Sequence, residues 1–273
     1  MKVDGNKIGF MLGGSIELEK AHLRAKEHKV LYHYTNYDSL SKILSSMTLK
    51  FNRSDSVNDL EEEKYYKNDI YKSVFLSSLV YKEKESIPMW SIYTNNENGV
   101  RIGFHSNKGE ILKSIIDNQR NVIGVNGSET KNVRLLKSSC IRDEEFIDGW
   151  FVDIDQTDII YDESFIEKDP INYNDKYYSI TSMGVVKSDS WDYENESRFL
   201  AFLRTTRNEI QIPEFNFLLV PIHFNNLDKI DITFSPFMSE ETKKKIKKDV
   251  EELHELCEIV FSVSELQNKI KRK

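Results

Sequence analysis

The chain has 273 residues, with 38 Lys and Arg against 45 Asp and Glu for a formal net charge of −7, and 39% of its residues are hydrophobic. A chain this long buries roughly 70–75% of its unfolded surface, and 15 Phe and 13 Tyr beside only 11 Gly and 5 Pro exclude a disordered or low-complexity chain. The acidic balance argues against tight non-specific DNA binding, and charges interrupt every apolar run before the ~18 residues of a membrane helix, so no membrane partner is expected. The first twenty residues lack the apolar region and small-residue cleavage site of a secretory signal. Cys140 and Cys257 are too few for a disulfide framework and have no metal-ligand spacing, as suits free thiols in the cytoplasm.

In chain order, Ile16 to Lys29 is charged and helix-favouring, and 1–29 is set apart as an N-terminal helical extension to one domain over 30–273. Val30 to Tyr34 is β-branched and aromatic, a strand, after which Asn36 can cap a helix carrying Leu40, Ile43, Leu44 and Met47 on one face. Leu49 to Phe51 predicts a short strand, and NRSDSVNDLEEE a polar loop. Val74 to Val80 reads as a buried strand, Pro88 as the start of a short helix with Trp90 and Tyr93, and Asn98-Gly99 as a turn before Val100 to Phe104, a strand with one wet face. Residues 110–180 add a helix near Ile111 to Ile116 and a strand near Val133 to Leu136.

Later, Glu196 to Leu203 alternates at period two, a strand entered through an acidic turn. Phe217 to Pro221 and Lys229 to Phe234 are further strands, Ser239 caps a helix with Ile246, Val250, Leu253 and Leu256 on one face, and Ile259 to Val263 is the last strand. Strands and helices without regular βα alternation predict an α+β fold.

Four clusters carry chemistry: Tyr32-His33-Tyr34-Thr35; Asn58-Asp59 with Glu61; Met89-Trp90 and Tyr93 with the strand GVRIGF; and the segment WDYENESR ending at Arg198. In this order they resemble a large bacterial family of unassigned function, marked by YHYT, ND-x-E, MW-x-x-Y with GV-x-I-x-F, and W-x-YE-x-E-x-R, over residues 30 to 262. The layout is similar to the ADP-ribosyltransferase fold, in which a His, a hydroxyl or aromatic residue, and a Glu come from core strands. The resemblance implies mixed, mainly antiparallel strands with peripheral helices. It also implies NAD as substrate with no metal, a dinucleotide as partner, a protein or nucleic acid as acceptor, and a place among bacterial toxins or phage-defence effectors. His33 takes the first position, Ser77 to Tyr93 the second and Glu194 or Glu196 the third; no Ser-Thr-Ser triplet is present, so Ser77-Ser78 or Tyr93 substitutes.

Cleaving the bond between nicotinamide and ribose builds oxocarbenium character, which a fixed carboxylate stabilises. Glu196, deeper in the strand, is the first choice for this and Glu194 the second. Two apart on an extended segment, they share a face. The binding set is then His33, Tyr34 and Thr35 with Ser78, Arg198 and the rings of Trp90 and Tyr93, which can stack on nicotinamide. His33 and the glutamates are expected to line one pocket. The plainer reading makes Glu196 and Arg198 an ion pair on a wet sheet face, and Trp90 and Tyr93 core anchors. A second functional reading is a non-catalytic nucleotide-binding sensor, or a metal-dependent nuclease using Asp189, Asp192, Glu194 and Glu196 with Lys187. Asp153 with Asp155, and the lysines of KKKIKK at 243–248, read as solvated faces.

Overall fold

Residues 16–59, 62, 69–94, 97–107, 109–135, 150–162, 183–205, 212–251 and 255–270 are described by a computed structural model of the chain. Cys140, Glu61 and Leu253 lie outside them. The elements are α1 (Ile16–Glu27), β1 (Val30–Asn36), α2 (Tyr37–Ser46), β2 (Thr48–Arg53), β3 (Val74–Val80), α3 (Ile87–Tyr93), β4 (Gly99–His105), α4 (Ile111–Ile115), β5 (Val122–Asn126) and β6 (Glu129–Leu135). There follow β7 (Trp150–Asp158), β8 (Ile160–Tyr161), β9 (Val186–Lys187), β10 (Glu196–Thr205), β11 (Phe217–Pro221), β12 (Lys229–Phe234), α5 (Glu240–Asp249) and β13 (Glu258–Val263). The fold is α+β, with mainly antiparallel strands; β6–β7, β8–β9 and β12–β13 pair in parallel.

Strand β3 organises the sheet. It pairs along its whole length with β10, from Glu196 opposite Val80 to Phe202 opposite Val74. Its other edge is shared: β2 pairs at Leu76 and Phe75, and β1 only at Val80, opposite Tyr32. The order β10-β7-β6-β5-β11-β2-β3, with β3 paired back to β10, closes seven strands into a ring, while β1, β4, β12 and β13 run outward from the end of β3. Between Leu76 and Val80 the edge of β3 that faces β1 and β2 is therefore split, and the split becomes the site.

Local sequence explains the pieces. Asn36 caps α2, its Oδ1 accepting from the Ser39 amide at 2.9 Å, and Ser239 caps α5 through the Thr242 amide at 3.1 Å. Met47 lies beyond α2, ending it in the left-handed conformation at φ 49°. Helix α5 stops at Asp249, short of the expected run: Leu256 is exposed, because the chain must turn to start β13 at Glu258 beside Lys229 of β12. The main core joins Leu31, Phe51, Phe75, Ile102, Phe104, Phe199, Ala201, Leu218 and Phe234. The other face of β10 gives Leu200 and Phe202 to a second cluster with Leu76 and Leu18 of α1.

Two expectations of a wet strand face are corrected. Strand β4 is buried from Gly99 to Phe104, because Arg101 folds its guanidinium over the Tyr32 ring at 4.3 Å and donates to the Glu83 carbonyl at 2.7 Å. Strand β10 is covered on both faces, with Glu196 and Arg198 almost fully inaccessible. In the KKKIKK segment Lys243 is buried, with its Nζ 2.7 Å from Glu240, while Lys244, Lys245, Lys247 and Lys248 are exposed. Among the described residues no helix is long and apolar enough to cross a membrane.

Candidate functional site

A cavity of about 240 Å³ occupies the split, lined by Tyr32, His33 and Tyr34 of β1, Lys50 and Asn52 of β2, residues 76–80 of β3, Tyr93 of α3, and Lys187, Glu194, Glu196 and Arg198. Of the residues singled out in sequence, the structure brings His33, Tyr34, Ser78, Tyr93, Glu194, Glu196 and Arg198 to this cavity. Thr35 and Trp90 are not in its lining. Thr35 is buried in register with Val100, and Trp90 is a core anchor, edge-on to Tyr34 at 5.1 Å with its Nε1 donating to Glu85 at 2.8 Å. Asp189 and Asp192, members of the nuclease constellation, are exposed.

The floor is a buried cluster of charge. Arg198 faces Glu62 as a fork, Nη1 and Nη2 each 2.7 Å from a carboxylate oxygen, and holds Glu196 with Nε at 2.6 Å and Nη2 at 3.2 Å. Its Nη1 also donates to the Gly184 carbonyl at 2.7 Å, on a turn whose φ of +74° suits glycine. Lys187 Nζ lies 2.6 Å from Glu194, 2.9 Å from Glu196 and 3.7 Å from Glu62. The remaining Glu194 oxygen accepts from the Tyr93 hydroxyl, which itself accepts from Asn58 Nδ2 at 2.7 Å. Three carboxylates thus share two cations, and the point between them is filled by an ammonium and a guanidinium. Among the described residues no group of three or more His, Cys, Asp or Glu side chains is arranged to hold a metal ion.

The two glutamates do not share a face by strand alternation. Glu194 ends a 3₁₀ turn (Asp189–Glu194) and Asn195 follows in the left-handed region at φ 46°, so a turn brings the carboxylates together around Lys187. Their protonation equilibria diverge. Burial and the neighbouring Glu196 charge push the Glu194 carboxyl above its ordinary value, against the pull of Lys187. Burial acts upward on Glu196 too, but Arg198 and Lys187, with the Ser78 hydroxyl, hold it well below the usual carboxylate range.

His33 reaches the cavity by an unexpected route. Residues opposite one another across antiparallel strands share a face, so Tyr32, Val80 and Glu196 stand on one side of the pleat. His33, one residue on, stands on the other side. It lines the cavity because β1 parts from β3 at this point and leaves the Ser78 carbonyl free, 3.2 Å from His33 Nδ1. A carbonyl only accepts, so Nδ1 carries the proton and Nε2 is left as an acceptor. Desolvation lowers the His33 pKa, which keeps the ring neutral.

Glu62 was missed in sequence, hidden in the run EEE, and Lys187 was considered only beside a metal. Glu62 has no local signal, since it meets Arg198 across 136 residues, whereas Lys187 lies only seven residues before its partner Glu194.

Residues 89–199 match the family described as "Protein of unknown function (DUF2971)". The matched segment runs from the MW motif to the residue after Arg198, so it holds Tyr93, Lys187, Glu194 and Glu196 and leaves out His33 and Glu62. No curated protein matches the chain by sequence. Solved structures of DarT from Thermus sp. 2.9 are similar to the chain. The complex with ADP-ribosylated ssDNA is 10% identical, with a TM-score of 0.35 over 90% of this chain and 97% of that one. The complex with NAD+ is 11% identical, with a TM-score of 0.34 over 90% and 98%.

Proposed function

We propose that the cavity binds the nicotinamide riboside end of NAD and that the protein transfers ADP-ribose from it to a protein or nucleic-acid acceptor. The observation that carries this reading is the charge imbalance of the floor among the described residues: Glu62, Glu194 and Glu196 face Lys187 and Arg198 there. One negative charge is left over, and its cost falls on Glu194, whose proton affinity is raised. A cation entering the cavity relieves that cost. The nicotinamide ring is such a cation, and as its bond to ribose breaks the positive charge passes to the sugar, where a fixed carboxylate stabilises it more than it stabilised the ground state. At about 240 Å³ the cavity is smaller than the roughly 300–1,000 Å³ usual for drug-sized ligands, which suits one nucleoside end of a dinucleotide.

In this reading Glu194 stabilises the ribose charge and Glu196 positions it, reversing the order of choice made from sequence. Both Glu196 oxygens are engaged by Arg198, one of them by Lys187 as well. Each Glu194 oxygen has one partner, Tyr93 or Lys187, and keeps a lone pair for a ribose hydroxyl. Neutral His33 accepts a second hydroxyl at Nε2 through the split, and the Tyr93 ring flanks nicotinamide. The nuclease alternative is disfavoured because Lys187 and Arg198 already occupy the carboxylate oxygens that would ligate a metal, while Asp189 and Asp192 are exposed.

Calorimetry with NAD and assay of released nicotinamide test this. The wild type should bind NAD and release nicotinamide, and Glu194→Gln should bind NAD more weakly and lose about 10²- to 10³-fold in turnover at saturating NAD, as when one fixed electrostatic stabiliser is removed. Absence of NAD binding, or full turnover in the variant, overturns it.

A further inference from the structure

Helix α1 lies outside the cavity, yet its end touches both supports of the turn that sets Glu194 and Glu196. His28, just past the helix, has Nε2 at 2.9 and 3.0 Å from the two oxygens of buried Asp158, and its ring stacks on Tyr81 with centroids 4.8 Å apart and planes 5° from parallel. The Tyr81 amide donates to the Asn195 carbonyl at 3.0 Å. The residue after Asp158, Ile159, donates its amide to the Glu196 carbonyl at 3.0 Å. Both carbonyls of the left-handed turn are therefore held by backbone adjoining the two groups His28 grips. Asn195 occupies the left-handed region, which asparagine tolerates, and its amide and side-chain Nδ2 donate back to the Asp192 and Tyr193 carbonyls at 3.2 and 3.0 Å, so the two outer carbonyl contacts fix where this turn sits rather than whether it forms.

We infer that His28 is a positioning residue for the 194–196 turn, acting through Tyr81 and Asp158 to keep both Glu194 and Glu196 within reach of Lys187. Arg24 of α1 also approaches Asp158, Nε to Oδ2 at 3.8 Å, but among the described residues only His28 joins Asp158 to Tyr81. The same helix has a second histidine, His22, 3.5 Å from Asp155, and Asp155 is in register with Leu200, three residues and about 10 Å along the strands from the Asp158–Ser197 pair. His22 anchors α1 without touching either support.

The comparison of the two histidines is the test. Hydrogen exchange on the full chain should show the Tyr81, Ile159 and Glu196 amides exchanging about tenfold faster or more in His28→Ala. His22→Ala should leave those amides as in wild type, and His28→Gln, which keeps a donor to Asp158, should recover part of the protection. If His28→Ala does not fold, Tyr81→Leu removes the stacked ring while keeping the reporting amide, and the same loss of protection at Ile159 and Glu196 is expected. Unchanged protection in the folded variant, or an equal loss in His22→Ala, overturns the inference. The kinetic consequence rests on the proposed NAD chemistry: kcat for nicotinamide release should fall about tenfold in His28→Ala with KM for NAD unchanged, and a loss confined to KM counts against positioning. A wild type that releases no nicotinamide sinks the NAD reading alone, because the exchange result stands without it.

Discussion

On α1, Lys20 Nζ lies 2.9 Å from Glu17, with both side chains more than half exposed. In the cavity floor, Lys187 Nζ lies 2.6 Å from Glu194 and 2.9 Å from Glu196, with all three side chains 2–3% exposed. The distances are alike and the energetics are not. Water screens the first pair and hydrates either partner if the other is lost, so its worth is a few tenths of a kcal/mol. The second cluster has given up hydration, so each member is held by its partners and deleting either cation strands a carboxylate. Burial also creates asymmetry that no surface pair has. With one carboxylate too many among the described residues, Glu196 is stabilised as an anion and Glu194 is destabilised as one.

The largest effect should come from Arg198→Leu. It leaves Glu62 and Glu196 buried without their guanidinium, and removing one partner of a buried pair costs about 3–5 kcal/mol. Urea unfolding should show a lower midpoint with an unchanged slope. A loss below about 1 kcal/mol would mean that the cluster is hydrated in solution.

Next come the two glutamates, with opposite signs. The Glu196 carboxyl is lowered from an ordinary value of 4.5, so its stabilisation is complete above that pH and is lost as pH falls through the folded value. Glu196→Gln should cost about 1.5–3 kcal/mol at pH 7, the worth of hydrogen bonds to charged groups. The Glu194 carboxyl is raised from 4.5, so the folded chain holds the proton more tightly than the unfolded one, and stability declines as pH rises from 4.5 through the folded value. Glu194→Gln balances two carboxylates with two cations and should gain about 0.5–2 kcal/mol at pH 7, with the gain fading toward pH 4. Unfolding curves of the two variants at pH 4 and pH 7 check both signs. Equal losses in both would refute the asymmetry.

The period-two strands, the caps at Asn36 and Ser239 and the helix start at Pro88 were legible because each rests on neighbours in sequence. The faces of β4 and β10 were not. Alternating polar residues read as a solvated face, and only tertiary structure shows that Arg101 is covered by Tyr32 or Arg198 by Glu62. The site was half legible for the same reason. His33, Tyr93, Glu194 and Glu196 sit in compact motifs, whereas Glu62 gains meaning from Arg198 far along the chain, and Lys187, seven residues before Glu194, stands outside the motif that carries the glutamates. The common face assigned to Glu194 and Glu196 came from treating 194–196 as extended, and the left-handed Asn195 replaced that geometry with a turn. Likewise Trp90 looked like a ring to stack on a ligand, but its indole N–H is committed to Glu85.

The smallest expected effect closes the comparison at its exposed end. Lys20→Ala removes the ammonium from Glu17 on the first turns of α1, where the freed carboxylate stays hydrated and still sits favourably near the positive end of the helix dipole. Alanine is also the better helix former, by a few tenths of a kcal/mol, which offsets what the ion pair contributed. The stability change should therefore stay within about 0.5 kcal/mol of zero and should not grow between low and high salt, since there is little screened attraction left to lose. Urea unfolding at two ionic strengths measures this. A loss above about 1 kcal/mol that vanishes in salt would show that α1 docks by electrostatics rather than by burying Leu18, Ala21 and Ala25 against the sheet, and would move this pair into the same class as the cavity floor.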